Sequence, residues 1–504
     1  MSLRELPARP NLEHLKKQAR TLLQERLASN SEATARFEAF SISSEPKLAD
    51  ALHIVAREYG FDTWPALKLH VEAGSEDPVQ ALTAAVKANS ASLVREVLAR
   101  HPSLRSSINE PLPNYGYHAP AIIAAVNHGN REMIDALLDA GANINERSRW
   151  WAGSFGVLDA ASAELAPYLI SRGAVLDIHA AARLGMISHV REFLRADPQL
   201  VHARGGDGQL PLHFASTVEI AALLLDSGAD IEARDIDHES TALQYMVSIR
   251  PHRHDVAKYL VSRGAQIDIL AASALGDLAV VERIVNDDPD TVRIIVNERY
   301  FPKIDPRAGG CIYVFGFGIT KTPHIIAHQF GHTAVFDFLM QRSAPWLRLV
   351  QAAEVGDESL TQRIVQQQPT LFTRLTAMAA RRIVGVAVRN NTRAVKLLLG
   401  YGWPSNAVLE NNQTALHFAA WHGNVAMVRA LLDHKAPVNV FENQYGGSPL
   451  AWALHGSLNS WERDKGDYVA VTRALLAAGA EIPKPERPLE ATEDVLEVIR
   501  QHAP

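Results

Sequence analysis

The amino-acid sequence predicts an all-α fold, a solenoid of about twelve stacked helix pairs that follows a small helical domain. A repeat is the first observation: TALHFAAWHGNVAMVRALLDHKAPVNV begins at Thr414, and SPLAWALHGS begins at Ser448, 34 residues later. The second is an apolar pattern of period 3.6 in each copy, which indicates two short helices. Because one helix pair is too thin to bury its own apolar face, the pairs must stack. The third observation is a glycine after the second helix, where left-handed backbone ends a helix, found as Gly141, Gly173, Gly228, Gly264 and Gly479.

Residues 1–75 do not follow the repeat and predict a separate N-terminal helical domain. Asn11 and Ser31 are suitable helix N-caps, and Gly60 is a suitable helix stop. Terminal repeats need a polar outer face, so we expect this domain to cap the apolar end of the first repeat. The pattern predicts four helices, at residues 11–27, 31–40, 46–59 and 64–71.

The repeat array extends over residues 79–483 and is followed by a C-terminal capping helix in residues 484–504. Further copies begin at His128 (HGNREMIDALLDAGANIN), Leu210 (LPLHFAS) and Thr322 (TPHIIAHQFGHTAVFDFLM). This order of a Thr-Pro-Leu-His turn, Gly-His and Gly-Ala resembles the ankyrin repeat family, and the leader LPARPNLEHLKKQA is similar to one associated with bacterial ankyrin proteins. The resemblance implies a scaffold that recognises a partner through a concave groove and through the loop tips, called fingers.

Composition excludes several classes of function. The 504 residues are 47% hydrophobic and 21% charged, and 50 basic against 56 acidic residues give a formal net charge of −6. The chain lacks the basic footprint of a nucleic-acid-binding protein, and it lacks an apolar run long enough to predict a membrane span. A single cysteine, Cys311, excludes an internal disulfide framework. We expect a cytoplasmic monomer that binds a protein or a small molecule.

No cofactor and no metal is expected. The glycine-containing segments at residues 205–210 and 315–320 have the wrong spacing for a nucleotide-binding loop. His324, His328 and His332 follow at i, i+4 and i+8 on one helical face, which superficially fits metal ligands. A structural role is favoured, because His332 matches the Gly-His position and a helix of this repeat is too short to present all three.

Two enlarged fingers concentrate aromatic side chains, although aromatics are only 7% of the chain. The segment ERSRWWAGSFG contains Trp150 and Trp151, and a longer segment of residues 297–324 contains Tyr313. Within it, CIYVFGFGI at residues 311–319 alternates well enough to predict one small β-hairpin. One interpretation is an enlarged finger with its own mini-core, and the other is an aromatic-walled pocket for a small molecule.

The resemblance also places the residues around each Gly-His element in the concave groove, where they would contact a ligand. Aromatic and imidazole side chains suit recognition there, because they provide contact area at little cost in rotamer entropy. The alternative for Trp421 is packing onto an adjacent helix. The groove residues predicted in this way are His128, Phe330, Trp421, His422 and His455, and Trp452 is predicted to join them because the segment of residues 452–468 would form a second aromatic lip of the groove.

A group of acidic and imidazole side chains is the candidate for chemistry. A histidine flanked by carboxylates can act as acid or base near neutral pH, although charged finger tips are normally solvated turns. The candidates are His118, Asp207, Asp237, His238 and Glu239. We therefore predict a recognition scaffold, with the alternative of a metal-independent enzyme that performs acid–base chemistry on a small molecule under the aromatic fingers.

Overall fold

The computed structural model describes residues 4–7, 10–40, 46–483 and 489–502. Within these ranges the chain is helical and forms no β-strand; two isolated bridges join Pro111 to Pro120 and Val408 to Thr414. The chain divides into two compact units, residues 1–238 and residues 239–504, called the first and the second unit below. The predicted all-α fold of paired helices is confirmed.

The first unit contains short helices that alternate with loops. Its α-helices are α1 Leu12–Leu27, α2 Ser31–Glu38, α3 Leu48–Glu58, α4 Trp64–Ala73, α5 Pro78–Lys87, α6 Ala91–Arg100, α7 Ala121–Asn127, α8 Arg131–Asp139, α9 Val157–Ala160, α10 Ala166–Ser171, α11 Ile178–Arg183, α12 Ile187–Ala196, α13 Pro211–Phe214 and α14 Val218–Asp226. Its 3-10 helices are Pro102–Ser106, Gly116–His118, Pro198–His202 and Gly206–Gly208.

The second unit continues the same alternation. Its α-helices are α15 Ala242–Ser248, α16 His254–Ser262, α17 Ile269–Leu275, α18 Leu278–Asp287, α19 Tyr313–Gly316, α20 Pro323–Gln329, α21 Thr333–Arg342, α22 Pro345–Val355, α23 Glu358–Gln367, α24 Ala377–Ala380, α25 Arg382–Val388, α26 Thr392–Gly400, α27 Ala415–Trp421, α28 Val425–Asp433, α29 Pro449–Asn459, α30 Tyr468–Ala477 and α31 Glu493–His502. Its 3-10 helices are Pro289–Arg293 and Phe372–Arg374.

The N-terminal helices α1–α4 form a small core of their own. Leu15, Leu22, Phe37, Ile54 and Leu67 are buried in it, and α4 then packs against α5 of the repeat array. Asn11 caps α1 as expected, since its side chain accepts from the backbone N–H groups of residues 13 and 14. The predicted cap of α2 is wrong by one residue, because Asn30 supplies the capping oxygen.

Each repeat pairs an inner helix with an outer helix and stacks both on the next repeat. In the second unit α25, α27 and α29 pack side by side, and so do the outer helices α26, α28 and α30. Thr414 caps α27, while His417 Nδ1 bonds to Thr414 and His417 Nε2 bonds to the Gly447 carbonyl 3.1 Å away. The histidine of the turn thus ties one repeat to the next loop, as the resemblance implies.

The predicted β-hairpin at residues 311–319 is wrong, because this segment winds into helix α19. Three contacts within the second unit explain the difference. The Ile312 N–H donates to Ser240 Oγ at 3.0 Å, and the Tyr313 hydroxyl donates to Asp268 Oδ2 at 2.9 Å. A Cβ at Gly316 would lie 2.5 Å from the Ser248 Cβ, so the turn packs directly on α15. Tertiary contacts therefore override the alternating pattern.

Helix α31 lies at the C-terminal end and packs against α30, burying Val495, Val498 and Ile499. It begins three residues later than the predicted start at residue 490. Residues 484–488 and 503–504 of the predicted capping segment lie outside the described residues. Of the helices in the described part of the chain, none has the length and apolar character needed to cross a membrane.

Candidate functional site

The finger between α8 and α9 carries a cluster of aromatic rings in the first unit. The Tyr117 ring lies 5.3 Å from Trp150, edge to face, and 4.8 Å from Phe155, while Trp150 lies 6.4 Å from Trp151. The finger is closed by Ser148, whose N–H donates to the Phe155 carbonyl at 2.8 Å and whose hydroxyl accepts from the Phe155 N–H at 2.9 Å. We call Tyr117, Trp150, Trp151 and Phe155 the finger cluster.

Three buried polar side chains lie beside the finger cluster and form an acidic cluster. His238 Nε2 lies 3.8 Å from Asp207 Oδ2 and 3.7 Å from Asp237 Oδ2. The Asp207 carbonyl accepts from the N–H groups of Ile236 and Asp237 at 2.9 and 3.1 Å, which joins the two fingers. Phe155 covers this region closely, because a Cβ at Gly206 would lie 2.3 Å from Phe155 Cε1.

Burial shifts the acid–base chemistry of the acidic cluster. Burial, reinforced by the neighbouring charges of Asp237 and Asp235, raises the pKa of Asp207 to about 7, although His238 and the Trp150 indole act in the opposite direction. Asp207 Oδ1 and Trp150 Nε1 are both buried with no well-formed hydrogen bond to any described residue. The Asp207 carboxyl group therefore gains and loses a proton near neutral pH.

The acidic cluster is also where a metal ion could be held. One ligand atom from each of Asp207, Asp237 and His238 lies within 4.8 Å of the others. Among the described residues, this trio is the set of side chains close enough together to share a metal ion. Two carboxylates and one imidazole suit a divalent ion. Two of the three histidines with metal-ligand spacing bond to other groups: His324 is fully buried and bonds to Ser343, and His332 Nε2 bonds to the Ala274 carbonyl.

The remaining predicted chemical residues lie elsewhere. His118 is exposed in the 3-10 turn next to Tyr117. Glu239 belongs to the second unit, where its carboxylate accepts from the N–H groups of Ile304 and Asp305 at 2.8 and 2.7 Å. Glu239 thus holds a finger in place, and its part in acid–base chemistry stays a prediction.

Tyr313 is not part of a binding wall, which corrects the expectation for this residue. Its side chain is 0% exposed, lies 4.9 Å from Phe317 and 5.4 Å from Phe301, and donates to Asp268. Burial, together with the charge of Asp268, raises the pKa of Tyr313 well above its usual value. Phe330 is half-buried against His252 and His254, with ring centres 5.0 and 5.1 Å apart.

A second aromatic surface, which we call the tryptophan wall, lies in the second unit. Trp421 ends α27, and Trp452 and His455 come from the neighbouring inner helix α29. Trp421 lies 6.1 Å from Trp452, 5.7 Å from His455 in a stacked arrangement, and 5.6 Å from Trp461. Trp461 follows α29 and is 68% exposed, so the wall, consisting of Trp421, Trp452, His455 and Trp461, ends in solvent.

The other groove predictions separate into exposed and buried positions. His128 is exposed at the end of α7. The expectation that His422 faces the groove is corrected, because the residue is 2% exposed and its Nε2 bonds to the Val388 carbonyl at 2.9 Å. Tyr117 was not among the predicted contact residues, although its position directly before His118 in NYGYHAP is a signal that could have indicated it.

Known sequences place this chain among proteins with the same repeat. A family model described as "Ankyrin repeats (3 copies)" matches residues 178–271 and 384–483, and one described as "Ankyrin repeat" matches residues 119–149. The Ankyrin repeat and SAM domain-containing protein 6 of Mus musculus is 28% identical over 124 residues, which are 24% of this chain and 14% of that protein.

Two further relatives match different extents of the chain. The Ankyrin repeat domain-containing protein SAT10 of Stachybotrys chartarum is 23% identical over 435 residues, 79% of this chain and 20% of that protein. The Serine/threonine-protein kinase VIK of Arabidopsis thaliana is 47% identical over 49 residues, 9% of this chain and 11% of that protein. The chain thus covers between 11% and 20% of the length of these three relatives.

Proposed function

We propose, from the premise that the chain is an ankyrin repeat protein, that it is an interaction scaffold whose tryptophan wall contacts a partner protein. Ankyrin repeats indicate a protein-interaction scaffold, because stacked repeats create an extended concave surface that suits other proteins. We also propose that the protein acts in the cytoplasm. Membership of the family implies neither this location nor the use of the tryptophan wall as the contact surface.

The exposure of Trp461 is the observation that carries the proposal. Its side chain is 68% exposed and rests on Trp421, which in turn stacks on His455. A tryptophan ring left in water contributes no burial free energy to folding, so its exposure indicates a surface used for binding. Tryptophan is also the residue type most enriched at the energetic centres of protein interfaces.

The inner helices give the wall the rigidity that recognition requires. Trp421 and Trp452 are anchored on α27 and α29, which pack side by side. The Tyr468 hydroxyl donates to the Trp421 carbonyl at 2.8 Å, which fixes the end of α27. Rings that are already ordered lose little conformational entropy when a partner binds.

Catalysis at the acidic cluster is not proposed. Asp207, Asp237 and His238 are 6%, 5% and 9% exposed, and Phe155 packs directly over Gly206. A general acid or base must come within hydrogen-bond reach of its substrate. Covered in this way, the cluster is better suited to act on its surroundings through its charge.

A test of the wall compares three variants of the full chain on a solid support. Trp461→Ala and Trp421→Ala remove rings of the wall, and Tyr445→Ala removes an 80% exposed ring outside it. Proteins from an extract of the source cells that bind the unaltered chain are identified and purified, and their affinity for each variant is then measured. We expect Trp461→Ala to weaken the Kd of that partner by about thirtyfold, about 2 kcal/mol.

The same experiment can contradict the proposal. Equal affinity of the unaltered chain and both tryptophan variants would show that the wall is not the contact surface. If Tyr445→Ala lowers the affinity of the partner as much as the tryptophan variants do, binding depends on exposed aromatic rings in general and not on a defined site. Thermal unfolding of each variant confirms that the second unit remains folded during the measurement.

The finger cluster is a second candidate contact, for a basic side chain of a partner. Tyr117 is 49% exposed, and its pKa is raised by burial and also by the charges of Asp207 and Asp237, which therefore act on this ring. An ammonium or guanidinium group over an aromatic face is attracted by the ring and by nearby carboxylates. Tyr117→Ala should then weaken the binding of a partner whose affinity falls as the salt concentration rises. A partner affinity that is independent of the salt concentration would exclude this contact.

A further inference from the structure

The second unit contains a cavity that none of the predicted site residues lines. It measures about 70 Å³ and lies between helix α22, the helices α24 and α25, and the finger residues 295–300 and 320–322. A single buried water needs about 10–15 Å³. The cavity is therefore large enough for a ligand of several non-hydrogen atoms.

Positive charge exceeds negative charge around this cavity. Its walls include the glutamates Glu354 and Glu410. Burial lowers the pKa of Arg382 to about 10, and burial together with the charge of Arg389 lowers the pKa of the adjacent Lys321 to about 8. The walls also contain four arginines, which against the two glutamates give an excess of two positive charges; they are Arg299, Arg381, Arg382 and Arg389.

Several polar groups in the walls are held at one end and lack a partner at the other. Gln351 is 0% exposed; its Oε1 accepts from the Thr322 hydroxyl at 2.7 Å, while its Nε2 has no partner among the described residues. Arg382 Nη2 donates to the Arg293 carbonyl at 2.6 Å, while Nη1 has no such partner. Arg381 Nε is likewise a buried donor without an acceptor in the described structure.

One acceptor completes the set. Glu354 Oε1 is bound by Arg389, whereas the buried Glu354 Oε2 has no hydrogen-bond partner among the described residues. Buried polar groups without partners cost free energy, and natural proteins contain few of them. These four atoms belong to residues that line one cavity, and a ligand with several acceptor oxygens and one donor would complete their hydrogen bonds.

We infer that this cavity binds a small oxyanion that carries a hydroxyl group, with hydrogen phosphate as the simplest example. The anion oxygens would accept from Gln351 Nε2, Arg381 Nε and Arg382 Nη1, and the hydroxyl would donate to Glu354 Oε2. Arginine is well suited to this role, because its planar guanidinium group stays charged and offers paired donors to oxyanions. Water would fill the same hydrogen bonds, whereas an anion would also offset the positive charge of the buried Arg382 guanidinium group.

The test measures binding of inorganic phosphate and of sulfate to the full chain by calorimetry at pH 7, in a buffer whose other anion is chloride. We expect phosphate to bind with a saturable, one-to-one isotherm. Sulfate has the same shape but no hydroxyl, so Glu354 Oε2 would face an acceptor, and we expect its affinity to be at least tenfold lower.

Two variants and one control locate the binding. Gln351→Glu keeps the acceptor for Thr322 and replaces the free donor by a negative charge, so it should weaken phosphate at least tenfold. Glu354→Gln should reduce the preference for phosphate over sulfate to less than twofold. Arg393→Gln removes an exposed arginine that pairs with Glu358 outside the cavity and should change nothing.

Three results would overturn the inference. The first is heat of binding that phosphate, sulfate and chloride share at equal ionic strength. The second is undiminished phosphate binding by Gln351→Glu, and the third is an equal loss in Arg393→Gln. Far-UV circular dichroism of each variant ensures that the comparison is made between folded chains.

Discussion

The two aromatic-rich fingers share a high density of aromatic residues but bury them to different degrees. In the first unit Trp150, Trp151 and Phe155 are half-buried, whereas in the second unit Tyr313 is completely buried and its hydroxyl is bonded to Asp268. Aromatic residues in a long finger therefore indicate neither a binding surface nor a mini-core by themselves. The difference arises from what each finger can pack against.

Length and a buried polar partner separate the two fingers. The second finger is long enough to fold back on α15 and α17. There the Ile312 N–H donates a hydrogen bond to Ser240, and the Tyr313 hydroxyl donates one to Asp268. The first finger is closed after a few residues by the bonds between Ser148 and Phe155, so its rings contact one another and the surface of the next finger. An aromatic ring is buried when a groove and a partner exist for it.

The largest expected effect comes from removing the buried ring. Tyr313→Ala should lower the free energy of unfolding of the second unit by about 3–5 kcal/mol, because it leaves a cavity and deprives the buried Asp268 of a donor. Phe315→Ala, in the same finger but 59% exposed, should cost less than about 1 kcal/mol. Urea unfolding followed by a probe in the second unit measures both, and equal costs would erase the distinction between the two fingers.

An intermediate effect is expected where the first finger lies closest to its neighbour. Gly206→Ala would place a Cβ 2.3 Å from the Phe155 ring, and the ring must move away from the acidic cluster. We expect a loss of about 1–3 kcal/mol in the first unit. Gly116→Ala is the matched control, since a Cβ there meets nothing within 4 Å. If Gly206→Ala is as harmless as the control, the finger does not cover the cluster.

A smaller effect follows from the raised pKa of Asp207. The folded chain keeps the Asp207 proton up to about pH 7, whereas the unfolded chain loses it near pH 4. Between these values the folded state binds more protons, so this carboxyl group stabilises the first unit most below pH 4, and that contribution is lost as the pH rises through 7.

Asp207→Asn should therefore flatten the dependence of first-unit stability on pH between 5 and 8 by about 1–3 kcal/mol. Asparagine tolerates the left-handed backbone at this position, where φ is 54°, so the variant should remain folded. Asp139→Asn, which alters an exposed carboxylate of the same unit, is the control. Denaturant unfolding at several pH values provides the measurement, and a pH dependence that Asp207→Asn leaves intact would contradict the assignment.

Much of the fold follows from repeated sequence, and less of the site does. The stacking of α27 on α29 and the roles of Thr414 and His417 are encoded in a motif that recurs, so the sequence alone predicts them. Asp207 and Asp237 occupy neighbouring fingers, which the period also brings together. The repeat does not encode where a single side chain points. Glu239 follows His238 directly in the sequence, but its carboxylate accepts from the backbone N–H groups of residues 304 and 305.

The arginine-lined cavity could not be predicted for a related reason. Its residues come from separate repeats, and each arginine, taken singly, resembles an ordinary solvated side chain in the sequence. Arg382 is distinguished only when α25 is packed against α22 and the finger residues close over it. Burial of Tyr313 had no signal either, since its partner Asp268 lies 45 residues earlier in the chain.

The most direct test of the tryptophan wall is hydrogen–deuterium exchange of the full chain with and without its purified partner. We expect the partner to slow exchange in α27, α29 and residues 460–466, with no change in the outer helices α28 and α30. Slower exchange confined to α28 and α30, or none anywhere in the second unit, would contradict the assignment of the wall as the contact surface.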